Sequence, residues 1–169
     1  MIYRLARAYV IFFAVTGTLV LALTIFLHFW ALRGNDISLH HLSVVDIVVA
    51  VPILGLAKGK NIWANEMKAL PRWVRKVVLV LFVYTLAIFA ATILIPGATY
   101  PSENPILISA FLCTYLSGCI CIPFALLRHG YVDASSLNNR VATSMIFLAV
   151  ATTFFILTRT EFLSHSHIT

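Results

Sequence analysis

The stretch LHHLSVVDIVVAVPILGLAKGK, Leu39 to Lys60, decides how this chain threads. It is apolar enough for a membrane, yet it carries Asp46 and Pro52 in its middle. Eleven Leu, Ile and Val residues lie in it. At roughly −0.3 to −0.6 kcal/mol each, they outweigh one Asp at about +2.5 to +3.5 kcal/mol. The margin is narrow, so a helix here is expected to depend on its neighbours. Pro52 removes the bond to the Val48 carbonyl and is expected to kink it. A re-entrant loop dipping in from one side is the competing arrangement.

Flanking charge favours a full crossing. The segment that follows, Lys58 to Lys76, holds Lys58, Lys60, Lys68, Arg72, Arg75 and Lys76 against one acid, Glu66. The N-terminus holds Arg4 and Arg7. Both basic clusters belong on the cytoplasmic side, and both stay there only if the Leu39–Lys60 run crosses. The remaining connections agree. Gly97–Asn104 has no cation and fits the outside, whereas Arg128–Arg140 has Arg at each end and fits the inside.

The expected fold is therefore all-α: one integral membrane domain, residues 1–169, with five transmembrane helices, N-terminus in and C-terminus out. The spans are read at about 9–32, 39–57, 77–95, 105–127 and 141–158, each near the ~17–25 residues needed to cross hydrocarbon. Composition agrees, since 61% of the 169 residues are hydrophobic and 11% charged, against about 25% charged in soluble domains. The first apolar run is longer than the ~7–15 residues of a signal-peptide core and is read as a retained helix. The formal charge of +6 sits between apolar runs, which points to anionic lipid headgroups on the cytoplasmic side and not to nucleic acid.

Within residues 60–74, Trp63, Met67, Leu70 and Val74 share one helical face, with Lys60, Lys68 and Arg72 on other sides. This reads as an amphipathic helix lying in the interface. Together with Lys58, Trp73, Arg75 and Lys76 it forms a membrane-surface or partner-docking segment. Small residues recur at four-residue spacing in Ala14/Thr18/Ala22, Ala87/Ala91, Ala110/Thr114/Gly118 and Ala149/Thr153. Such seams let helices approach closely in lipid, within one chain or between chains. Cys113, Cys119 and Cys121 have helical spacings that do not suit a disulfide, so they read as reduced and space-filling.

A buried carboxylate is costly unless it is paired. If the hairpin of the first two spans centres near Ile37, His28 and Asp46 lie at one depth. His28 is then the expected hydrogen-bond partner of Asp46, with Tyr115 of the fourth span as a second donor. The bland reading of this intramembrane cluster is a polar clasp between helices. The sharper one is a proton, ion or ligand path.

His40, His41, His165 and His167 fall on the expected outer side, where imidazoles could hold a transition metal. Their spacing matches no established site, and histidine is also at ease among headgroups. No cofactor is expected, and the metal, if any, is unknown. Gly-rich phosphate loops, nucleophile elbows and paired carboxylates at one depth are missing from the sequence, which leans away from an enzyme. Three functions follow. The leading one is a non-catalytic membrane protein, with the charge bias of a bacterial inner-membrane protein, that binds another protein as a subunit, assembly factor or inhibitor. The second is a homo-oligomeric channel or transporter component using Asp46, and the third a metal-binding or redox protein using the outer histidines.

Overall fold

The structure, a computed structural model, describes residues 1–35, 39–57, 68, 70–94, 104–128 and 134–165, with side chains excepted at 39–43 and 158–165. All regular structure among them is helical. The five helices are α1 (Ile2–Leu32), α2 (Leu39–Leu56), α3 (Arg72–Leu94), α4 (Pro105–Arg128) and α5 (Ala134–His165). Four of them, α1, α3, α4 and α5, are long and apolar enough to cross a membrane, the mark of an integral membrane protein. Their outer faces carry large apolar side chains such as Phe12, Leu19, Phe26, Val80, Phe82 and Ile146. Such surfaces suit hydrocarbon as solvent.

Local sequence explains the helix ends. Asn104 caps α4, its Oδ1 accepting from the backbone N–H of Ile106 and Leu107 at 3.0 and 3.2 Å, and Pro105 follows at the first helical position, where a missing N–H is harmless. Gly34, with φ +78°, closes α1 by donating its N–H to the Ala31 carbonyl at 2.9 Å. Only glycine takes that left-handed conformation without steric penalty.

Packing centres on α4, which lies against α1, α2 and α3, while α2 and α5 form a second close pair. The main apolar core joins Val10 and Phe13 of α1, Ala50, Ile53 and Leu56 of α2, Leu116, Cys119 and Ile122 of α4, and Leu137 and Val141 of α5. These residues come from the N-terminal halves of α1 and α5 and the C-terminal halves of α2 and α4, so this core fills the basic half of the bundle. Two glycines set close approaches. A Cβ on Gly55 would lie 2.8 Å from Ser144 Cα and 3.2 Å from its N, and one on Gly17 would lie 3.0 Å from Ile120 Cγ1. The three cysteines are free and buried.

Helix α3 stands apart. It packs chiefly on α4, and Thr85 is its one buried side chain. Just before it, Leu70 is buried with Cys121 and Ala125 of α4, and Val74 and Val78 pack on the same cluster. Leu70 and Val74 thus face protein, whereas the interfacial reading gave them to lipid. Residues 58–67 and 69 of that stretch, Lys58, Lys60 and Trp63 among them, lie outside the described residues. Lys68, Arg72, Trp73 and Lys76 are exposed, and Arg75 is half-buried.

Candidate functional site

The opposite half of the bundle is where buried polar groups gather, in two tiers one helical turn apart. Buried His28 of α1 forms the first tier with buried Ser109 of α4 and with Tyr84 of α3, whose ring is exposed on the bundle surface. Its Nδ1 is 2.9 Å from Ser109 Oγ and its Nε2 is 2.9 Å from the Tyr84 hydroxyl. Counting protons fixes the roles. Ser109 has one proton, and it points to the Pro105 and Ile106 carbonyls at 2.6 and 3.1 Å. Ser109 Oγ therefore accepts from Nδ1–H, which leaves Nε2 to accept from the Tyr84 O–H in a neutral imidazole. The His28 and Tyr84 rings meet edge-on, 5.7 Å between centroids.

Asp46 forms the second tier. It is 0% exposed, with Thr24 of α1 beside its carboxyl and Cys113 of α4 in its vicinity. Neither carboxyl oxygen has a hydrogen-bond partner among the described residues. The Thr24 hydroxyl, the obvious donor, is spent on the Val20 carbonyl at 2.8 Å.

The expected His28–Asp46 bond is therefore not formed. Helix α1 ends at Leu32 and α2 begins at Leu39, so the hairpin centres just after Asn35, before Ile37. That places Asp46 level with Ile25, beside Thr24 and about one turn deeper than His28. Helix α1 also packs chiefly on α4, which aims His28 at Ser109. Tyr115 is not the second donor either. It lines a cleft between α3 and α4 and stacks on Phe111, 6.3 Å between centroids.

Two further polar links bind helices. Thr85 and Thr114 pair at 2.7 Å across α3 and α4, with Thr114 Oγ1 also 3.1 Å from the Leu81 carbonyl. In the basic half, Ser144 of α5 donates to the Pro52 carbonyl of α2 at 2.6 Å, so its oxygen accepts from Tyr9 of α1 at 2.8 Å. Ser109, Tyr84, Thr24 and Ser144 were not singled out in the sequence. The signal available for the first was its spacing, since Ser109 and Cys113 repeat at one turn on α4 as Thr24 and His28 do on α1.

Asp46, His28 and Ser109 are the residue types of a nucleophilic triad, but the arrangement is wrong for one. The serine proton points away from the imidazole, and the carboxyl does not orient the ring. The cluster as built joins α1, α3 and α4. Among the described residues, no group of three or more His, Cys, Asp or Glu could hold a metal. The side chains of His40, His41, His165 and His167 lie outside the described residues, so their expected convergence does too.

No protein-family model, curated protein or solved structure matches this chain.

Proposed function

We propose that this is a non-catalytic integral membrane protein that binds another membrane protein through outward faces of its helices. The observation that carries the reading is where the small residues lie. The α4 seam is used within the chain, with Ala110 and Gly118 buried and Thr114 clasping Thr85. The seams of α3, Ala87 and Ala91, and of α5, Ala149 and Thr153, are exposed. In lipid, small-residue stripes permit the close backbone approach that drives helix association, and no helix among the described residues covers these two stripes.

In this reading all five helices cross a bacterial inner membrane, N-terminus in and C-terminus out, with the cations around α3 against anionic headgroups. Helix α2 crosses with the support of α4 and α5, on which it packs. Enclosure of Asp46 within one protomer favours binding over conduction, because a shared axis lined by copies of Asp46 needs that side chain on a lateral face.

The test is a native mass spectrum of the protein extracted from its own host into lipid nanodiscs. A heteromeric mass that Ala87→Leu with Ala91→Leu, or Ala149→Leu, abolishes is the expected result. A monomer, or a homo-oligomer alone, would overturn the reading.

A further inference from the structure

Between α3 and α4 runs a cleft of about 890 Å³, lined along α3 from Arg75 to Phe89 and along α4 from Leu107 to Gly118. At 1.5 Å per residue the α3 wall is about 21 Å long, more than half of a ~30 Å hydrocarbon core. Its walls are bulky and apolar, with Phe82, Phe89 and Phe111 prominent. The Thr85 and Thr114 hydroxyls within it are engaged with each other and with backbone carbonyls. Charge enters at one end only. Arg75 lines the mouth, half-buried, with Arg72 and Lys76 exposed beside it, and no carboxylate among the described residues pairs with it.

We infer that this cleft binds one acyl chain of an anionic phospholipid, whose phosphate sits on Arg75. The shape favours a lipid chain over a partner helix. Phenylalanine and leucine walls hold a helix backbone away, whereas a flexible chain conforms to them, and the small residues that suit a helix, Ala87 and Ala91, lie on the far side of α3. The charge favours an anionic headgroup. The basic end of α3 belongs at the cytoplasmic leaflet, where anionic lipids concentrate and a guanidinium between helices meets a phosphate. The site is distinct from the outward seams of α3 and α5 and stands or falls without them.

The experiment is native mass spectrometry of the purified full-length chain with equimolar phosphatidylglycerol and phosphatidylcholine of identical acyl chains. One phosphatidylglycerol is expected to stay bound, preferred roughly fivefold, the worth of one cation near an anionic headgroup. Arg75→Gln should bring that preference to about one while a chain remains bound, by the same argument. Leu86→Trp, which fills the cleft, should lower retention of both lipids, and Val80→Trp, on the far face of α3, should change neither. Equal retention of both lipids by the unsubstituted chain, or a preference unchanged in Arg75→Gln, would overturn the inference. So would release of the lipid by excess inorganic phosphate, which would reduce the site to an anion on Arg75. A co-purifying polypeptide that must leave before lipid binds would do the same. Matching helical circular dichroism among the variants shows that each is folded.

Discussion

His28 Nε2 accepts the Tyr84 hydroxyl proton at 2.9 Å, and this bond ties the peripheral helix α3 to α1 across the face of α4. Interhelical hydrogen bonds in membranes are worth about 0.6 kcal/mol on average and up to about 1.7. Tyr84→Phe and His28→Gln should each lower stability by that order. In a double-mutant cycle the pair should couple by more than about 0.5 kcal/mol. The same cycle for His28→Gln with Asp46→Asn should be additive, and strong coupling there would contradict the two-tier arrangement.

Asp46 has no hydrogen-bond partner among the described residues and no exposure. Replacing an unsatisfied buried polar group by an apolar one of similar size is neutral or stabilising. Asp46→Val should therefore unfold at the same or higher temperature in nanodiscs. A loss above about 2 kcal/mol, the size of breaking a satisfied buried network, would show that the carboxyl holds the bundle together.

Gly55 and Gly17 differ in what a methyl group would strike. At Gly55 it meets the Ser144 backbone, at 2.8 Å from Cα, and at Gly17 the Ile120 side chain, at 3.0 Å. Helix propensity alone favours alanine over glycine by about 1 kcal/mol, but overpacking against backbone costs about 1–3. Gly55→Ala should be clearly destabilising and Gly17→Ala near neutral. Thermal unfolding of the two variants side by side checks the order.

Ser144 passes hydrogen bonding from Tyr9 to the Pro52 carbonyl. Ser144→Ala leaves both without this partner, whereas Tyr9→Phe removes only the outer bond. The serine substitution should cost more, by about 1 kcal/mol, and the double variant should be no worse than Ser144→Ala by more than a few tenths. A larger loss for Tyr9→Phe than for Ser144→Ala would contradict this relay.

Much of the helical layout was legible because the apolar runs and their punctuation are strong. Asn104–Pro105 and Gly34 mark ends that local chemistry enforces, and the cysteine spacing excluded disulfides. The polar cluster was half legible. His28 and Asp46 announced themselves as ionisable groups in apolar runs, and both are buried, but their partners depend on rotation and register. One and a half residues of error in the hairpin centre moves the opposite strand of the hairpin by three, roughly 4.5 Å, enough to exchange Thr24 for His28. Helix pairing was the other missing quantity. Only α3 has a neighbour in sequence as its closest neighbour, since α1 chooses α4 and α2 chooses α5. Small-residue spacing likewise found Ala110, Thr114 and Gly118 but could not tell an inward seam from an outward one.

The central place of α4 governs the order in which the protein can assemble. Chains emerge N-terminus first, so α1, α2 and α3 leave the ribosome before the helix that all three pack against. Until Pro105–Arg128 arrives, Ser109 is missing beside His28, Thr85 has no Thr114, and the helix carrying Asp46 lacks both α4 and α5. A chain halted after α3 holds three segments whose principal contacts do not yet exist. Most of the packing that holds the first three helices is thus deferred until the last two are made.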